Sequence, residues 1–137
     1  MQNYPIHHET VPTKSRSQMI DVTSRVQSLV TKANVTDGYV IVYNPHTTAA
    51  ITINENADPD VQHDLLTKLA ELVPKSEKFY QHGEGNSDSH LKTAMLGNSA
   101  TVLIERGELV LGRWQGIYFC EFDGPRQREM LVKIVET

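Results

Sequence analysis

The alternation of apolar and polar residues along the chain predicts a small set of helices and strands. Residues 4 to 13 suggest a weakly patterned first strand. Asp21 then precedes Val22, Val26, Leu29, Val30 and Ala33, whose spacing puts the apolar groups on one side of a helix. Asn34 to Gly38 supplies a turn, and Tyr39 to Tyr43 is a β-rich run with both alternating faces apolar, which predicts a central strand buried on both sides. Asn44-Pro45 ends that strand, and Ala49 to Ile53 makes the next one. Asp58-Pro59 starts a helix: a capping side chain, then proline at the first helical position. Val61, Leu65, Leu69 and Leu72 line one face of that helix, and Pro74 stops it. A polar loop from Lys75 to Ser89 leads to a short helix from about His90 to Leu96. After Gly97 the pattern turns to strands, at Ala100–Ile104, Leu109–Leu111, Ile117–Phe122 and Met130–Val135. Short glycine-bearing gaps between these strands favour antiparallel pairing. The expectation is an α+β fold: a single two-layer domain over residues 1–137, mainly antiparallel sheet with two or three helices.

Composition narrows the function classes. The chain has 137 residues, 39% hydrophobic and 22% charged, with net charge -4 and a pI near 5.8. A chain of this size buries a real core. No basic run is present, which argues against a nucleic-acid partner. No apolar run approaches the roughly 20 residues of a membrane span, so no membrane partner is expected. Residues 1 to 9 hold no apolar leader, and the lone Cys120 cannot form an internal disulfide. A cytoplasmic location is the expectation. Cys120 lies in an apolar strand and reads as a buried small hydrophobe rather than a catalytic thiol.

Two polar motifs carry the candidate chemistry. The first runs from His46 through Thr47 and Thr48 to Glu55, Asp58, Asp60 and Asp64. Asp58 and Asp60 are explained as helix N-terminal acids. Glu55 precedes the cap, which leaves it either a functional base or a surface acid. His46, in a loop between Pro45 and two threonines, either ligates a metal or exchanges protons, or is a surface histidine held by a hydroxyl. His63 lies on the polar face of its helix and reads as solvated.

The second motif gathers His82, Gly83, Glu84, Gly85, Asn86, Asp88, Ser89, His90 and Lys92. The glycines let the backbone bend and approach a ligand. His46, His82 and His90 would supply three nitrogens to a divalent metal, zinc or another transition metal in preference to magnesium, because imidazole suits the softer ions. Alternatively, the helix N-terminus and Lys92 would hold a small anionic or phosphorylated molecule. A third segment places Trp114 as a pocket wall or a core residue. It leaves Arg126, after the Asp123-Gly124-Pro125 turn, as a clamp for a carboxylate or phosphate.

These motifs together resemble the YjbQ family. The resemblance rests on His46 to Ala49, Asn54 to Asp60, His82 to Asn86, Ser89 to Lys92, Leu111 to Ile117 and Phe122 to Arg126, in order along nearly the whole chain. It implies a compact α+β fold assembled as a homotrimer. Members are often labelled secondary thiamine-phosphate synthase, a transferase that joins a pyrimidine diphosphate to a thiazole phosphate and releases pyrophosphate. The resemblance also implies a pocket and a metal site in which His46, His82 and His90 match the family's histidines. Glu55, Glu84 and Asn86 match polar positions of the same motifs. The functional expectation is therefore a small-molecule enzyme with His46, Glu55 and Glu84 as catalytic groups. Thr47, Thr48, Asn86, Lys92, Trp114 and Arg126 are expected to bind the ligand. The alternative is a trimer that binds a metal or metabolite without turnover.

Overall fold

The computed structural model describes residues 4–137. In chain order the elements are β1 (His7–Pro12), β2 (Gln18–Asp21), α1 (Thr23–Ala33), β3 (Gly38–Tyr43), β4 (Ala49–Glu55), α2 (Pro59–Leu72), α3 (Ser87–Leu96), β5 (Ser99–Glu105), β6 (Glu108–Leu109), β7 (Gln115–Glu121) and β8 (Gln127–Glu136). The α+β expectation holds. The strands divide between two antiparallel sheets, one ordered β1-β8-β3-β5-β6 and one ordered β2-β7-β4.

The sheets pack face to face because each strand alternates. On β8, Met130, Val132 and Ile134 point inward, opposite Val40 and Val42 of β3 and the facing Ile51, Ile117 and Phe119 of the smaller sheet. Val22, Val26 and Val30, one helical turn apart, bring α1 into the same core. The smaller sheet's other face carries Ala50, Tyr118, Cys120 and Phe122, and it packs against Leu66 and Leu69 of α2 and Leu96 of α3. Cys120 is buried there, and burial pushes its thiol up to about 12, so it is protonated at neutral pH.

Several expectations need adjusting. β3 is central in its sheet, but only Val40 and Val42 are buried; Tyr39, Ile41 and Tyr43 face a side that no helix covers, and Tyr43 is 43% exposed. On α2, Asp58 caps the Asp60 N–H at 2.9 Å and proline follows, as expected. Its contact face is turned toward Leu66 and Leu69, while Leu72 is exposed. α3 starts at Ser87, three residues before the sequence suggested, with Asn86 as its N-cap. β2 was not anticipated. Gln18-Met19-Ile20-Asp21 has only two apolar residues, and its strand character comes from edge pairing to Cys120 and Phe119 of β7.

Candidate functional site

One end of the two-sheet sandwich is closed by charge rather than by apolar packing. Arg128 on β8 and Glu121 on β7 both point inward and are buried. Arg128 Nε donates to Glu121 Oε1 at 2.8 Å, and Nη2 donates to the other carboxylate oxygen at 2.5 Å. Nη2 also reaches Thr48 Oγ1 at 2.8 Å and the Thr48 carbonyl at 3.2 Å. Glu121 further accepts from the Thr13 hydroxyl at 2.8 Å and from the Asp123 N–H at 2.9 Å. Burial alone would raise the Glu121 carboxyl, but these donors, Arg128 foremost, hold it below the usual carboxylate range. The pair ties one sheet to the other and fixes the turns on either side.

The first of those turns carries His46. Asn44, fully buried, accepts the His46 N–H at 3.0 Å and donates to the His46 carbonyl at 3.2 Å. It also donates to the carbonyl of Ala49. The turn between β3 and β4 is thereby closed on itself by one amide side chain. The His46 ring is fixed in turn, because its Nε2 accepts the Glu129 N–H at 3.0 Å. That bond needs a lone pair on Nε2, so the neutral ring carries its proton on Nδ1. Burial and then the nearby Arg128 cation push the ring's pKa below its usual value, which favours this neutral form.

The second wall is the loop into α3. Gly85 adopts φ of 73°, a left-handed conformation that suits glycine, just before the Asn86 cap. The Asn86 side-chain amide donates to Asp123 Oδ2 at 2.8 Å, and its Oδ1 is buried without a partner among the described residues. In the first turn, Asp88 is buried but receives Arg16 through two bonds of 3.0 Å and Lys92 at 3.2 Å. Burial alone would raise the Asp88 carboxyl, but these cations outweigh it and hold it low. The third wall is the turn after β7. There Arg126 donates to the Asp123 carbonyl at 2.9 Å and to its carboxylate at 3.0 Å. Gly124 at this turn has no room for a side chain, since an added Cβ would lie 2.4 Å from the Ser15 carbonyl oxygen.

The three walls enclose a polar cleft of about 520 Å³, whose lining includes His46, Thr47, Thr48, Glu84, Asn86, His90 and Arg126. Its other lining residues include Asp123 and Arg128. His82 is joined to this group through a 3.6 Å contact with Glu84 and an edge-to-face contact with His90, centroids 5.3 Å apart. Other expected site residues lie elsewhere. Lys92 is 4% exposed and committed to Asp88, so it does not line the cleft. Glu55 ends β4 at the far end from Ala49, roughly 20 Å along the strand at about 3.3 Å per residue. Trp114, 53% exposed, lies beside that same far end and stacks with Arg113 at 4.8 Å. His63, on α2, is solvent-facing, as its helix position suggested.

A three-histidine metal centre does not fit this arrangement. His46 uses its one lone-pair nitrogen to accept the Glu129 N–H, which leaves only an N–H on the other side of the ring. Among the described residues, no three His, Cys, Asp or Glu side chains form a group that could hold a metal ion. Asn44, Glu121, Asp123 and Arg128 were not singled out from the sequence. Their signals were faint: an acid inside the apolar strand Tyr118 to Phe122, and an arginine at an inward position of β8.

A family model described as UPF0047 protein YjbQ-like matches residues 7–137. The chain belongs to the YjbQ family. A UPF0047 protein of Methanocaldococcus jannaschii is 50% identical over 91% of this chain and 90% of its own length. The UPF0047 protein YugU of Bacillus subtilis is 47% identical over 91% of this chain and 95% of its own. In three dimensions the chain is similar to a YjbQ/UPF0047 protein of Clostridium acetobutylicum, with TM-score 0.92, 50% identity, and 94% and 99% of the two chains covered. A YbjQ-like protein of Sulfolobus solfataricus superposes equally well, TM-score 0.92, at 31% identity and 97% coverage of both. The YjbQ fold thus persists where two residues in three differ.

Proposed function

We propose that the cleft binds a small anionic, phosphorylated molecule and that the chain acts on it as an enzyme. The observation that carries this reading is the convergence of His46–Thr48, Glu84–His90 and Asp123–Arg128 on one polar cleft of about 520 Å³. That volume suits a small ligand. Arg126, the Thr47 hydroxyl and the His46 Nδ1–H are donors for phosphate oxygens. The N-cap Asn86 makes no side-chain bond to its own helix, and the positive end of α3 adds to the attraction. Glu84 faces the same space and serves as the base; His46, neutral and held by Glu129, offers its Nδ1–H as a hydrogen-bond donor to the leaving oxygen. For a thiamine-phosphate synthase-like transfer, these groups would hold the diphosphate that leaves as pyrophosphate. No step depends on a metal ion.

The test is calorimetric titration of the full chain with inorganic phosphate and pyrophosphate, followed by product analysis with a pyrimidine diphosphate and a thiazole phosphate. Arg126→Ala is expected to weaken pyrophosphate by about tenfold to a hundredfold, the cost of one charge-assisted contact. Chelator is expected to leave the affinity unchanged. Absence of binding by either anion would overturn the reading; binding without turnover on any phosphorylated partner would reduce it to a binding protein.

The homotrimer implied by the family likeness belongs to this proposal too. It is supported by the uncovered face of the larger sheet, where Tyr39, Leu103 and Val135 share one row across three strands and Leu103 is 61% exposed.

A further inference from the structure

Beyond His90 the polar cleft gives way to a depression of opposite chemistry. A groove of about 480 Å³ is lined chiefly by Phe79, Tyr80, His82, His90 and Leu91. Phe79 is 66% exposed and Leu91 46%, an unusual outlay of apolar surface at one place. The groove floor is nonetheless built rather than loose. Tyr80 is anchored by its hydroxyl, which donates to the Pro74 carbonyl at 2.8 Å, and Phe79 meets Tyr80 edge to face at 5.2 Å. His82 stands perpendicular to His90, and His90 lines both the groove and the polar cleft. The imidazole pair is therefore a partition between the two, and the His82–Glu84 contact joins their rims.

We infer that the groove takes a flat apolar ring belonging to the same ligand whose phosphate sits in the polar cleft, so that the preferred ligand class is an aryl ester of phosphate. This rests on the phosphate reading above. His90 lines both subsites, which brings them within reach of a single small molecule. A protein partner is a poorer match, since such interfaces use some 20–30 residues a side. An exposed phenylalanine gains from covering by a ring, through both lost water contact and stacking.

The experiment compares phenyl phosphate with inorganic phosphate on the full chain by calorimetry. The wild type is expected to bind phenyl phosphate about tenfold more tightly, and Phe79→Ala is expected to bring that ratio close to one. Leu91→Ser, in the same lining, moves it the same way. Equal affinities in the wild type, or a ratio that survives both substitutions, would overturn the inference while leaving the phosphate reading standing. Failure of the wild type to bind inorganic phosphate at all would remove the reading on which it rests. A substitution that changes the assembly's mass but not the ratio would also overturn it, by assigning the groove to subunit contact.

Discussion

His46 shows how one backbone amide decides the role of a side chain. By accepting the Glu129 N–H, its ring is fixed in one neutral tautomer, and burial beside Arg128 opposes the second proton. The unfolded chain therefore binds more protons than the folded one as pH falls through the usual histidine value of 6.5. Stability from this group rises with pH across that window and is lost below it. In urea titrations between pH 5 and 7.5, His46→Gln, whose side-chain oxygen also accepts the Glu129 N–H, is expected to flatten the dependence relative to the wild type. Parallel profiles for the two proteins would contradict the assignment. At this scale the sequence was informative where a polar residue had no packing task, as with His46, Thr47 and Asn86. It was silent on Glu121 and Arg128, because a charge within a strand looks solvated until the opposing strand supplies its partner.

Among the elements, β7 and β8 are coupled across the sandwich by that buried pair. Removing one partner leaves the other charge buried without its counter-ion. Arg128→Met is expected to cost about 3–5 kcal/mol in equilibrium unfolding, and pairing it with Glu121→Leu is expected to recover much of the loss. Recovery would show that the pair is retained for the shape of the cleft rather than for stability. The helix from Pro59 was legible because its start is written locally, in a capping aspartate and a proline. β2 was not, because a short edge strand is made by its neighbour's backbone more than by its own side chains. The start of α3 was set late for a similar reason: Asp88 and Ser89 look like loop residues, yet both are buried, one by Arg16 and Lys92 and the other by its bond to the Phe122 carbonyl at 2.5 Å.

For the molecule as a whole, periodicity identified strands and the α+β class but not their division between two sheets, since alternation says which face is apolar and not which sheet covers it. The same ambiguity made β3 look doubly buried: its outer residues are apolar, yet among the described residues they are only half-buried or exposed. In the proposed trimer a second copy covers this face. Light scattering is expected to show Leu103→Asp lowering the particle mass toward a single chain, and an unchanged mass would assign the face elsewhere. The order of the larger sheet has a consequence for synthesis. β8 is translated after the other described elements, yet it sits between β1 and β3, and among the described residues β1 pairs with no other strand. A nascent chain therefore holds β1 unpaired, and Glu121 without its cation, until β8 has emerged from the ribosome. Only then is the turn between β7 and β8, the third wall of the cleft, held at both ends.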